Sequence, residues 1–198
     1  MKAAGLLPAE PFAARVSRLM AWLAGALILS CGLLISVDVL TRLAVGRGVV
    51  ESFELSGYLL ACATGLALGF TVTAKANIRV DVALERLPWR LRALCDVAGA
   101  LALAAVALAL AVWCWRTLAL SWSIDARSTS RLQTPFWAPQ GVWWFGIAWF
   151  AGVAVAAPLL AVLRLLRGDR AGVDALVGPR SLADEIGDAT ASTAERRR

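Results

Sequence analysis

The chain has 198 residues, of which 60% are hydrophobic and 17% charged, and it carries a net charge of +6 without a single histidine. So little polar sequence cannot coat a globule of this size, which excludes an ordinary water-soluble domain. The missing histidine excludes bis-histidine haem, a Ser/His hydrolase and histidine-ligated zinc.

An N-tail, residues 1–18, precedes the first charge-free run, Leu19 to Val37. Three more runs follow, from Leu55 to Ala74, from Val97 to Trp115 and from Leu132 to Leu163. A helix of about 19 residues is roughly 28 Å long, which matches the hydrocarbon core of a bilayer. These segments are apolar all round and lack the polar face, recurring near 3.6 residues, of a soluble bundle. They predict an all-α integral membrane protein with four transmembrane helices, spanning about residues 19–41, 54–74, 94–117 and 140–164 within one membrane domain, 19–167. The basic residues stand in short groups at the span ends, where they suit lipid headgroups and topology and not nucleic acid.

The first span contains Ser30 and Cys31, a faint echo of a lipoprotein processing site. The apolar run continues from Gly32 to Val37, where a mature N-terminus would turn polar, so the span is expected to stay attached. At its end, Asp38 and Arg42 stand one helical turn apart and can pair, while Glu51 and Glu54 bring negative charge to the start of the second span. Exposed pairs of this kind contribute about 0 to 1 kcal/mol. Asp38, Arg42 and Glu54 are therefore candidates for orienting the first two spans or touching a partner, with local helix capping as the alternative.

Along the second span small residues recur every four positions: Gly57, Ala61, Gly65, Gly69 and Thr73. Such a ridge lets another helix approach the backbone closely, and dispersion contacts drive helix association where lipid supplies no hydrophobic force. The ridge is the main candidate interface for a partner helix. A shorter one, Ala148, Gly152 and Ala156, lies on the fourth span.

The loop between the second and third spans carries Val80, Leu84, Leu87, Leu91 and Leu94 at alternating spacings of four and three, with Arg79, Glu85, Arg86, Arg90 and Arg92 on other faces. This pattern predicts an amphipathic helix at the headgroups, divided by Pro88, its second piece continuing into the third span. Residues Ser121 to Gln140 are too polar for lipid and form a short surface element bearing Pro135 and Pro139. The C-tail, 168–198, has few large apolar residues and is expected to be disordered.

Fifteen of the twenty Lys and Arg residues fall in the N-tail, the middle loop and the stretch from Arg164 to the end, so the positive-inside rule predicts both termini in the cytoplasm. Trp113, Trp115, Trp122, Trp137, Trp143, Trp144 and Trp149 gather toward the outer end of the last two spans, where indoles favour the headgroup level, one or two of them being expected in the core. Cys31, Cys62, Cys95 and Cys114 stand singly and read as small packing residues. No cofactor or metal motif is present. No ionisable residue lies at the middle of a span; Asp38, Asp96 and Arg116 sit at span ends, in expected reach of water. The chain is therefore suited to an assembly and poorly equipped to conduct substrate itself.

The order of these features resembles the small membrane subunit of tripartite ATP-independent periplasmic (TRAP) transporters, the DctQ-like family. The similarity rests on Glu54-Leu55-Ser56-Gly57-Tyr58-Leu59-Leu60, on Gly65 and Gly69, on Lys75-Ala76-Asn77-Ile78-Arg79-Val80-Asp81 with Leu87-Pro88, and on Ser128 to Pro135 before the Trp-rich fourth span. It covers about residues 15 to 167. The family often has histidine where Asn77 stands, so this chain lacks a titratable group there. The resemblance implies a scaffold subunit in a bacterial inner membrane, bracing a large permease subunit for ion-gradient-driven uptake of an organic acid delivered by a periplasmic solute-binding protein. It adds Arg79 and Asp81 to the candidate interface residues; the remaining contact is membrane lipid. Rival readings are a self-sufficient small transporter acting as a homo-oligomer, a scaffold of an unrelated membrane complex, and a membrane enzyme, the last disfavoured by the absent motifs.

Overall fold

The computed structural model describes residues 9–46, 51–75, 88–166 and 176. Four helices make up the described chain: α1 (Ala9–Val45), α2 (Ser52–Thr73), α3 (Trp89–Ser123) and α4 (Trp137–Leu166). Each is long and apolar enough to cross a membrane. All but α2 overrun the predicted spans: α1 is about 55 Å long, α3 about 52 Å and α4 about 45 Å, against about 33 Å for α2.

Local chemistry accounts for the ends. Pro88 precedes α3 with φ −61° and ψ 146°, the extended geometry that lets a residue without an N–H introduce a helix. Pro139 lies in the first turn of α4 instead of before the span, where its missing N–H has no helical partner to lose. At its far end α2 closes through Lys75, whose φ is +51°. Pro158 is fully buried inside α4.

The helices form an open layer in the order α1, α2, α4, α3, with α4 packed between α2 and α3. Neighbouring contacts fix the directions. Asp38 meets Ser52, and Met20 and Ala24 meet Ala63 and Leu66, so α1 runs antiparallel to α2. Gly65 meets Trp143 and Gly69 meets Trp149, so α2 and α4 run parallel. Trp122 meets Trp137, Ala107 clusters with Phe150 and Ala154, and Ala100 clusters with Ala161, so α3 is antiparallel to α4.

The two halves are also staggered. Cys62 donates to the Pro139 carbonyl at 3.6 Å, so the first turns of α2 rise above the start of α4. At the opposite end α4 and α3 continue past α2 for about a dozen residues, or roughly 18 Å. There Ala93, Val97, Ala100 and Ala161 form their own cluster, with Val162 and Leu176 packed against it. Of the C-tail, only Leu176 is described.

The seam that joins the halves is backbone against backbone. A Cβ on Gly146 would lie 2.4 Å from the Gly65 carbonyl carbon and 2.6 Å from the Leu66 nitrogen. Gly152, one and a half turns on, has nothing within 4 Å of such an atom. Forcing a methyl into a closed contact costs about 1 to 3 kcal/mol, whereas Gly→Ala in an open helical site gains up to about 1 kcal/mol. Gly146→Ala is therefore expected to lower the midpoint of SDS-induced unfolding, and Gly152→Ala to leave it unchanged or raise it; equal effects at the two positions would contradict the seam.

Candidate functional site

The small-residue ridge divides on folding. Gly65 and Gly69 are buried in the seam: a Cβ on Gly65 would lie 2.8 Å from the Trp143 carbonyl oxygen, and one on Gly69 would lie 2.6 Å from Trp149 Cδ1. The helix that meets this stretch is the chain's own α4. Gly57, by contrast, is exposed with open space around it, and Ala61 and Thr73 are half-buried. The fourth span meets the seam through a different residue. Gly146 makes the contact, while Gly152 and Ala156 are exposed.

Where α1 joins this seam the link is polar. Ser17 is fully buried, and its hydroxyl accepts from Trp149 Nε1 at 2.9 Å. Trp149 also packs on the Met20, Ala24, Ala63 and Leu66 cluster. Trp143 and Trp149 thus line the seam, while Trp113, Trp115 and Trp122 stay exposed along α3. Trp144 donates to the Ala111 carbonyl at 3.1 Å, and Arg116 lies 5.0 Å from the Trp113 ring centre, a cation–π distance.

Asp38 is more deeply placed than its span-end position suggested. It is 3% exposed, its Oδ2 accepting from Ser52 Oγ at 2.6 Å and pairing with Arg42 Nη2 at 2.9 Å. Ser52 is the first residue of α2, and Glu51 before it makes no side-chain cap. The carboxylate of α1 therefore stands at the positive end of the α2 dipole, where negative charge is stabilised. One residue ties two helices, and Arg42, exposed to the outside, balances the charge. Asp96 is likewise buried, at 4% exposure, and not in open reach of water.

Glu54 lies one turn further along α2. Its Oε1 accepts from the Tyr58 hydroxyl at 2.6 Å, and the side chains of Ser130, Ser128 and Thr134 gather around the same carboxylate. The Tyr58 ring meets Phe136 edge-on at 6.5 Å. The two segments that carry the family resemblance, Glu54 to Tyr58 and Ser128 to Pro135, are thus brought together in space. Arg79 and Asp81, with the Val80 to Leu87 part of the amphipathic loop, lie outside the described residues. Leu91 and Leu94 are exposed on α3.

Sequence reasoning missed Ser17, Ser52, Gly146 and the loop hydroxyls. A serine in an apolar helix is a weak signal, because its hydroxyl can return to its own backbone, as Ser30 and Ser36 do. Only packing reveals which serine bonds across helices. No group of three or more His, Cys, Asp or Glu side chains able to hold a metal occurs among the described residues.

A family model described as tripartite ATP-independent periplasmic transporters, DctQ component, matches residues 31–168. No curated protein and no solved structure matches the chain.

Removing the Asp38 carboxylate leaves the buried Ser52 hydroxyl without its acceptor, a loss of about 1 to 3 kcal/mol. Asp38→Ala is expected to destabilise the chain on that scale in detergent, and adding Ser52→Ala to cost little more, since the two share one interaction. Fully additive losses would show that the two side chains act separately.

Proposed function

Because the chain belongs to the DctQ component family of the TRAP transporters, we propose that it braces the large permease subunit of such a system in a bacterial inner membrane. The system takes up an organic acid delivered by a periplasmic binding protein and driven by an ion gradient. The observation that carries the bracing role is the open layer. Its helices satisfy one another along a single seam, and α1 and α3 leave long apolar flanks uncovered, including Leu29, Leu33 and Leu43 on α1 and Leu101 and Val106 on α3. Apolar flanks of this kind suit lipid and a neighbouring membrane protein.

The same layer argues against transport by this chain alone. Carriers hold substrate near the bilayer middle with ionisable groups or broken helices. Here the runs Leu19 to Val37, Leu55 to Ala74 and Val97 to Trp115 hold no charge. The polar clusters at Asp38 and Glu54 both sit at the same end of α2. A scaffold acts by holding the fixed part of the large subunit while its mobile part carries substrate across. The alternating helix directions accord with both termini on one side, and the excess of Lys and Arg there supports the cytoplasm.

Purified and reconstituted alone, the chain is expected to give no organic-acid uptake under an imposed sodium gradient. Co-expression with a large TRAP permease subunit is expected to yield a complex stable in mild detergent, active once the binding protein is added. Uptake by the isolated chain would overturn the scaffold reading, as would a large subunit that transports at full rate without it.

A further inference from the structure

The charges that bound the apolar runs do not lie level across the layer. On the inner side, a Cβ on Gly69 would lie 3.6 Å from Ser17 Oγ, so Arg18 on α1 stands about 9 Å short of Lys75 at the end of α2. Trp149 lies against the same Gly69, and farther down α4 Ala161 clusters with Ala100. Asp96 is one turn beyond Ala100, which puts it about 15 Å past Lys75. The outer side steps the same way. Asp38 on α1 meets Ser52, and Glu54 follows on α2, but Arg116 on α3 is lower by about 20 Å. Its neighbour Trp115 packs on Trp144 at 4.8 Å, beside the Trp143 that touches Gly65. Both boundaries therefore descend by about 20 Å from α1 to α3.

Gly65 is the middle of the charge-free run of α2, so in an upright layer Arg116 would stand at the bilayer centre, where charge is costly. Trp113, 63% exposed, would stand there too, as would Trp22, 75% exposed between the Met20 and Ala24 that pack on Ala63 and Leu66. Indoles favour the headgroup level instead. We infer that the layer lies obliquely in the bilayer, its helices inclined by about 35° within the plane of the layer. Lipid then covers a slanted belt bounded by Asp38, Glu54 and Arg116 on one side and by Arg18, Lys75 and Asp96 on the other. The angle follows from a descent of about 20 Å across three helix spacings of about 9 Å each, and it falls within the range of roughly 0 to 40° that membrane helices adopt. Inclination carries Arg116 and Trp113 to the outer headgroups and Trp22 toward the inner ones. A helix at that slope needs about 24 residues to cross the hydrocarbon core, and the long side chains of Arg18 and Arg116 make up what the charge-free runs lack. The inference rests on the four spans and their stagger and stands apart from the transport reading.

Three exposed leucine and valine positions separate the two orientations: Leu29 on α1, and Val106 and Leu120 on α3. Cys31 donates to the Ser56 carbonyl and Trp122 meets Trp137, so Leu29 and Leu120 are level along the helix axes to within about 5 Å. Val106, next to the Ala107 that clusters with Phe150 and Ala154, is about 21 Å lower. The full chain, its four native cysteines changed to Ala, is spin-labelled singly at Leu29→Cys, Val106→Cys and Leu120→Cys in liposomes. Depth is read from power saturation with oxygen and a nickel chelate. The Leu29 and Val106 labels are expected at the same depth near the bilayer centre, within about 5 Å, and the Leu120 label about 15 Å nearer the surface. Matching depths for Leu29 and Leu120, with Val106 apart, would overturn the inference. Polarised infrared dichroism of the unmodified chain in supported bilayers tests it without substitutions: a mean helix inclination of about 35° is expected, and one at or below the ordinary value of about 20° would overturn it.

Discussion

The architecture depends on the close passage of two backbones, α2 at Gly65 and α4 at Gly146. In lipid there is no hydrophobic gain from bringing apolar helices together, so their association rests on how many atoms come within dispersion range. Two glycines facing each other remove the atoms that would hold the axes apart. Trp143 and Trp149 then wrap the crossing, and Trp149 reaches Ser17 to bring α1 to the same point. Every later feature, from the stagger of the halves to the position of the outer loop, takes its register from this contact.

The polar interactions are few and lie where they are most effective. Asp38 and Glu54 both lie at the first turns of α2, the shortest helix: Asp38 ties it to α1, and Glu54 holds the hydroxyl of Tyr58, whose ring meets Phe136. A buried carboxylate in hydrocarbon would be costly, and a place at a helix N-terminus, bonded to a hydroxyl, offsets part of that cost. The middle of each span carries no charged side chain. The division is one of close contact along one seam, directional bonds at the first turns of α2, and broad apolar flanks.

An open layer also differs in kind from a closed four-helix bundle. A bundle buries the inner face of every helix and can enclose a site, whereas here α1 and α3 stand at opposite edges and only α2 and α4 have a strong neighbour on both sides. Surfaces that would be core in a bundle become available to lipid or to another membrane protein. Such a chain gains its function from what it lies beside, in keeping with the family to which it belongs.

Much of this was legible from the residues. Runs without charge announced four crossings, since few alternatives tolerate so many apolar residues in sequence, and Glu54, Tyr58 and Ser128 to Pro135 stood out as soft motifs. The glycine ridge was recognised as a helix contact, but its partner was not, because a spacing of four says that a backbone can approach and not which one will. Gly146 and Gly152 look alike in one dimension; the rotation of α4 buries the first and exposes the second. Asp38 was read as a surface charge because its neighbours in sequence are at a span end, while its burial comes with Ser52, at the start of α2, lying against it. Local chemistry settles the number of the helices, and the choice of neighbours belongs to tertiary packing, where the rotation of a helix about its axis decides which small residues meet.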